Sequence, residues 1–416
     1  MSKIGSALVA VLTAIAAVTL THYMDTQVPE GVPEVWNARI LDAALRTNGK
    51  LILSLHDLGV PGGITWWTRA MVSTVLKTLI TGSPFGKGND PELKITDTEY
   101  AGVPVRVYEP QSLSGEGRRP VMVYYHGGGW SWLDVDVYDA STRELAMKVP
   151  MVLVSVGYRQ SPEHAHPIPL EDCLRVTEYV IKHADDLQLD PKRVSIAGDS
   201  AGGHLTAAVA LQLREKIKIQ VPIYPCLQLL DLQTPSYIEN RNFIPGMLND
   251  VSMLSYWMNY GNISYQWMPD FLANNHTSPE LKRSKYASRI SPKWYMPEHI
   301  RTESLRRMDK RQDFGDSELS QKYESVLLDP LFAPLMADDK EYVGLPLTYV
   351  LTAGYDVLRD DGLIYAQRLK KAGVNVHLAH YQEGFHGMIF FFDGPIAFDV
   401  GKRAMQDLVS FLQENL

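Results

Sequence analysis

From residue 93 onward the chain alternates between two hydrophobic periods. Ile95–Tyr100 and Val103–Tyr108 flank Ala101-Gly102 and predict a β-hairpin. Val121–Tyr125 and Val152–Val156 are continuous apolar runs of strand length, as expected of strands buried on both faces of a parallel sheet. Helical spacing fills 136–148 and 168–186. Val194, Ile196 and Ala197 predict a further short strand, Ala201–Leu213 an almost wholly apolar helix, and Ile219–Tyr224 the next strand. After residue 235 the alternation stops. It resumes with a strand at Leu347–Ala353, a helix at Asp360–Lys371 closed by Gly373, a strand at Val376–Tyr381 and a last helix to Leu416. Repeated strand–helix order predicts the α/β class, with a mostly parallel, doubly wound sheet of about eight strands.

Two regions stand outside this pattern. Residues 35–90 predict two or three helices, with an apolar stripe at Trp66, Ala70, Met71, Val75 and Leu79 that reads as packing rather than as a membrane contact. Gly82, Pro84, Gly86 and Gly88 then break the pattern at the entry to the main domain. Residues 236–340 are too long for a connection and too rich in structure signals for a linker. They carry Phe243, Met247, Met253, Tyr256, Trp257, Tyr260, Trp267 and Phe271, and predict a helical cap over the C-terminal edge of the sheet, where ligands bind in such folds. The expected organisation is an N-terminal anchor at 1–24, a helical part of the cap at 25–90, the core at 91–235, the cap or lid insertion at 236–340, and the rest of the core at 341–416.

The anchor rests on residues 4–20, which hold no charge and approach the length of a membrane span. Lys3 precedes this run and Asp25, Glu30 and Glu34 follow it, which favours an orientation with the body on the far side of the membrane. A cleaved signal peptide and a buried helix are the alternatives; the small-residue run Ala14-Ile15-Ala16 falls early for a cleavage site. Asn262-Ile263-Ser264 and Asn275-His276-Thr277 both satisfy the glycosylation pattern, pointing to the same compartment through Asn262 and Asn275.

Composition narrows the function. An apolar share of 45% and a charged share of 21% describe a globular protein with a large core. A formal net charge of −8 and the absence of a basic stripe argue against nucleic-acid binding. Cys173 and Cys226 read as two buried free thiols rather than a disulfide, and no Cys/His cluster predicts a metal. No cofactor is implied.

The chemistry centres on Gly198-Asp199-Ser200-Ala201-Gly202, a G-x-S-x-G turn between the buried strand and the apolar helix. A serine on so sharp a turn needs small neighbours, and the following helix N-terminus places unpaired N–H groups beneath its oxygen. A nucleophilic serine needs a base, an orienting group and oxyanion donors. His386, flanked by Gly384 and Gly387 after the last strand, is the expected base, and Asp356, at the end of the Leu347–Ala353 strand, the expected orienter in preference to Asp360 and Asp361. The order Ser200, Asp356, His386 differs from those of chymotrypsin-type and subtilisin-type proteases. His126-Gly127-Gly128-Gly129 follows a predicted strand, and the N–H groups of Gly127, Gly128 and Ala201 are the expected oxyanion hole, with His126 fixing the loop. Trp130 and Trp132 beside this loop, with Phe243 and Trp257 from the cap, are expected to form an apolar acyl pocket.

His126-Gly127-Gly128-Gly129, Gly198–Gly203, Asp356–Gly362 and Gly384–Gly387, with Tyr158-Arg159 and Pro162-Glu163, resemble the hormone-sensitive lipase branch of the α/β-hydrolases. Within it the chain is most similar to the arylacetamide deacetylases and their relatives, nearly end to end. That resemblance implies an α/β-hydrolase fold with a helical cap and a serine esterase or amidase acting on small hydrophobic molecules. Behind that reading stand a neutral lipid hydrolase working on acylglycerols or sterol esters and, against the intact set of Ser200, Asp356, His386 and the glycine loop, a non-catalytic member that holds a hydrophobic ligand. It further implies anchorage in the endoplasmic reticulum membrane with a lumenal catalytic domain, or secretion if the leader is cleaved.

Overall fold

The computed structural model describes residues 3–88, 90–113, 117–244, 246–296 and 314–416, without the side chains of 3–10. Eight strands form one sheet: β1 (Leu93–Tyr100), β2 (Val103–Pro110), β3 (Arg119–Tyr125), β4 (Val152–Val156), β5 (Leu189–Asp199), β6 (Ile219–Ile223), β7 (Leu347–Tyr355) and β8 (Val376–Phe385). Their order is β1-β2-β4-β3-β5-β6-β7-β8. The first two pairings are antiparallel and all others, from β4–β3 onward, are parallel.

Sequence and burial agree along the central strands. Every residue of β4 and β6 is buried, as are all but the first residue of β3, which is why these runs lack polar alternation. Helix α6 (Ala201–Leu213) buries all but one of its residues, and its apolar circumference reflects a place inside the molecule. Cores lie on both sheet faces, one beneath the α5 (Ile168–Lys182) and α6 side, the other beneath α4 (Val135–Lys148) and the C-terminal helix Asp399–Asn415. Asp134 caps α4 by accepting from the N–H groups of Asp136 and Val137, each at 3.0 Å. Cys173 and Cys226 are buried and free.

Three helices precede the sheet: α1 (Lys3–Asp25), α2 (Val35–Asp57) and α3 (Trp66–Thr81). Thr65 caps α3 and Gly82, in the left-handed region, ends it. The expected stripe on α3 is misplaced in part: Leu79 packs against the core, but Trp66 is 81% exposed, whereas Thr68, Ser73, Leu76 and Ile80 are buried. Among the described residues no helix is long and apolar enough to cross a membrane. The first ten side chains of the expected 1–24 anchor lie outside those residues.

Between β6 and β7 the described chain is helical, with Pro235–Asn240, Asp250–Tyr260 and Ser317–Leu327 the longest pieces. Asp42 of α2, wholly buried, joins this insertion to the N-terminal helices. One of its oxygens accepts the Gly246 N–H at 2.7 Å and the other accepts the Thr26 hydroxyl at 2.7 Å. Gln27 also forms a β-bridge with Phe243. On α3, Arg69 donates to the carbonyls of Ser131 (2.8 Å) and Ser161 (3.0 Å) and pairs with Glu163. Helices from two distant segments thereby form one roof over the strand ends.

The tightest contact in this arrangement is that of Gly202 with β3. A Cβ there would stand 1.8 Å from the Tyr125 carbonyl oxygen, with backbone on both sides of the clash. Gly202→Ala is therefore expected to cost at least about 1–3 kcal/mol, read as a lower urea midpoint. An unchanged midpoint would show that β3 and α6 are not held so closely.

Candidate active site

Ser200 occupies the turn from β5 into α6 with φ +56° and ψ −118°, a strained conformation for a residue with a side chain. Its N–H donates to the Ile223 carbonyl at 2.9 Å, which ties the turn to the end of β6. Gly198 and Gly202 permit it, because a Cβ on Gly198 would meet the Gly202 carbonyl oxygen at 2.4 Å.

Two loops bring the other expected residues to it. His386 follows β8, and its Nε2 lies 3.0 Å from Ser200 Oγ. Its Nδ1 lies 2.8 Å from Asp356 Oδ2, just beyond β7. The second Asp356 oxygen accepts the Leu358 N–H at 2.9 Å, and the carboxylate is buried. Asn240 of the cap donates to the carbonyls of Gly354 (3.0 Å) and Asp356 (2.9 Å), fixing the strand end from above. A carboxylate at Nδ1 holds the ring proton there and leaves Nε2 to accept the serine proton. Asp360 and Asp361 do other work. Asp360 accepts from the Ser236 N–H and the Arg359 guanidinium, and Asp361 accepts from the Leu227 N–H and Gln228.

The glycine loop departs from expectation at one residue. The Gly127 N–H donates to the Tyr138 hydroxyl (2.8 Å) and to Asp199 (3.1 Å), so it points away from Ser200 and is no oxyanion donor. The donors left unspent are the N–H groups of Gly128, Gly129 and Ala201, with Gly128 and Gly129 at φ +100° and +60° beside Ser200 in the same cavity. Gly129 was missed. Glycine triplets mark a loop able to present donors, but which donors face inward depends on the partners of the first, and these lie 11 and 72 residues away. His126 fixes the loop: its ring stacks on Tyr158 at 4.3 Å and its Nδ1 meets the Gly127 carbonyl at 2.8 Å.

Asp199 is the buried grip beneath this loop. Its carboxylate accepts from Gly127, Tyr124 (3.1 Å) and Tyr138 (2.9 Å). Burial pushes its carboxyl up to about 6, against the pull of those hydrogen bonds.

Over Ser200 and His386 lies a mainly apolar cavity of about 530 Å³. Trp132 lines it as expected, but Trp130, Trp257 and Phe243 do not. Trp130 is wholly buried, stacked on Tyr260 at 4.3 Å and beside Trp257 at 4.5 Å, and its indole N–H donates to His204 at 3.3 Å. Trp257 is buried in the same seam, and Phe243 packs edge-on against Tyr355 at 4.7 Å. These rings weld cap to body. The walls come instead from Leu45 and Ile52 of α2, Val72 and Leu76 of α3, and Met247, Tyr256 and Phe390. The i, i+4, i+8 run Val72-Leu76-Ile80 was the available signal, one register over from the stripe expected on α3.

Asn262 is exposed at a turn with φ +51°. Asn275 spends its amide on Asp270 at 2.9 Å, and Thr277 of its triplet is wholly buried. Among the described residues no cluster of His, Cys, Asp and Glu has the arrangement of a metal site.

Known proteins resemble the chain in the same terms. A family model described as alpha/beta hydrolase fold matches residues 122–286 and 288–390. Neutral cholesterol ester hydrolase 1 of Mus musculus is 36% identical over 98% of both chains. Arylacetamide deacetylase of Bos taurus is 35% identical over 97% of this chain and 98% of its own. A solved esterase of Pyrobaculum calidifontis superposes with a TM-score of 0.56 at 26% identity, covering 84% of this chain and 91% of its own.

The Asp199 carboxyl supplies a test by pH. Its raised value means that the folded chain holds this proton more tightly than the unfolded one. The resulting stabilisation is complete below about pH 4 and lost as pH rises through about 6. Relative to Asp199→Asn, the wild type should therefore lose stability between pH 4 and pH 7, read from urea midpoints across that range. A flat difference would show that burial does not raise this carboxyl.

Proposed function

Because the chain belongs to the α/β-hydrolase fold family, together with the neutral cholesterol ester hydrolases and arylacetamide deacetylases, we propose that it cleaves carboxylic esters of hydrophobic molecules through Ser200, His386 and Asp356. The observation that carries this reading is the unbroken line from Asp356 through His386 to Ser200 Oγ, set beneath an apolar cavity.

The steps follow from the geometry. His386 Nε2 takes the Ser200 proton as Oγ attacks the ester carbonyl, and the tetrahedral oxyanion is held by the N–H groups of Gly128, Gly129 and Ala201. The carbonyl reforms as the alcohol departs with the proton from His386. Water, activated by the same nitrogen, then frees the acid from Ser200. The Asp356 carboxylate at Nδ1 stabilises the imidazolium. An acetyl-amide would follow the same course with an amine as leaving group. The apolar walls and the cholesterol ester hydrolase relatives favour a second reading, a neutral lipid ester as substrate. Both imply uncharged, hydrophobic substrates.

Ser200→Ala should abolish hydrolysis of a 4-nitrophenyl ester and labelling by a fluorophosphonate. Asp356→Asn should lower kcat by about 10⁴, and Asp360→Asn far less. Activity retained in Ser200→Ala would overturn the reading. An unlabelled but folded wild type would leave a ligand-binding member in its place. Rates for esters of graded acyl length separate the two substrate readings.

The uncharged run at 4–20 supports a further part of the proposal: the chain is held at the endoplasmic reticulum membrane by its N-terminal helix, with the body lumenal. Expressed in a glycosylating cell, it should carry a glycan that Asn262→Gln removes and Asn275→Gln does not, since Asn262 is exposed and Asn275 is tied down. It should also stay with membranes through a carbonate wash. No endoglycosidase shift together with full release would overturn this placement.

A further inference from the structure

One polar side chain in the cavity wall has no structural task. Asn48 sits in the interior of α2, where asparagine is a poor helix former, and only 7% of it is exposed. It lines the cavity that holds Ser200 and His386. Leu45 and Ile52, one turn to either side, and Val72 and Leu76 from α3 make its surroundings apolar. Among the described residues its carboxamide has no hydrogen-bond partner. Three other polar groups of that wall are paired within the cap, while the Tyr256 hydroxyl, on the ring set against Gly129, has no hydrogen-bond partner among the described residues either. The Ser252 hydroxyl donates to the Asn249 carbonyl (3.1 Å) and the Ser255 hydroxyl to the Ser252 carbonyl (2.7 Å), while the Asn259 side-chain oxygen accepts from Tyr265 (3.0 Å).

The amide opens onto the cavity, so an occupant that fills the cavity without pairing with it leaves it unsatisfied, a cost that leucine or methionine at this position would not impose. We propose that Asn48 is a substrate-recognition residue. It pairs with a second oxygen function, a hydroxyl or carbonyl, carried on the apolar body of the ester away from the scissile carbonyl. The carboxamide offers both a donor and an acceptor, which suits a hydroxyl best. This deepens the esterase reading and rests on it: the preferred ester is hydrophobic but not a plain hydrocarbon ester. A plain ester must bury against an unpaired amide, and a site built to hydrogen-bond a group discriminates strongly against the analogue that lacks it.

The experiment compares matched pairs with the wild type, Asn48→Leu and Asn48→Ala. One pair is a 4-nitrophenyl alkanoate with and without a hydroxyl on its acyl chain. The other is the acetate of a hydrophobic alcohol with and without a second hydroxyl. The wild type should favour the hydroxylated member of at least one pair by about tenfold or more in kcat/KM. Asn48→Leu should reduce that ratio to below about twofold. Asn48→Ala should lose the ratio in the same way and serves if the leucine variant folds poorly. Turnover with a ratio unchanged in the folded variants, or a wild type indifferent in both pairs, overturns the role of Asn48 alone. Absence of both turnover and fluorophosphonate labelling in the wild type removes the esterase reading and this proposal with it.

Discussion

The site depends on a buried charge set beneath the glycine loop. Asp199 precedes Ser200 in the turn, and its carboxylate draws in the Gly127 N–H and two tyrosine hydroxyls from β3 and α4. That grip spends the first donor of the glycine loop and sets the two after it beside Ser200. Since β5 delivers both Asp199 and Ser200, one strand end fixes the nucleophile and, through the carboxylate, the loop opposite. The cost is desolvation of a carboxylate, visible in its raised pKa. The return is a backbone geometry that glycine residues, left to themselves, would not hold.

Around this centre the roof is assembled from sequence segments some 200 residues apart, joined where Asp42 accepts the Gly246 N–H. Tyr256 closes over the glycine loop so tightly that a Cβ on Gly129 would meet its ring at 2.3 Å. Met247 stands against Gly387, next to His386. The roof therefore shapes the cavity and presses on the parts that do the chemistry.

Much of this was legible in the chain. Strands β3, β4 and β6 announced themselves because burial on both faces removes polar residues from the pattern. Ser200, Asp356 and His386 could be placed because each follows a strand and stands among glycines or at a turn. What the sequence did not show is which way a group faces once a long-range partner claims it. Gly127 read as a donor until Tyr138 and Asp199 took its N–H. Trp130 and Trp257 read as pocket rings because aromatic residues near a site look alike from the chain, whether they meet substrate or one another. Part of the face of α3 was missed for a related reason: Trp66 and Met71 carry as much hydrophobic signal as Leu76 and Ile80, and only the neighbours of the helix decide between the two registers.

The seam of Trp130, Trp257, Tyr260 and Phe332 has a consequence for how such a protein can diversify. It welds the cap helix Asp250–Tyr260 to the glycine loop, so a change there disturbs the donors at the same time. Helices α2 and α3 face the same cavity but contribute no strand and no reacting group. Part of the cavity wall is thereby written on a stretch of the chain that carries none of Ser200, Asp356 and His386. A substitution at Leu45, Ile52, Val72 or Leu76 would reshape that wall without touching the seam.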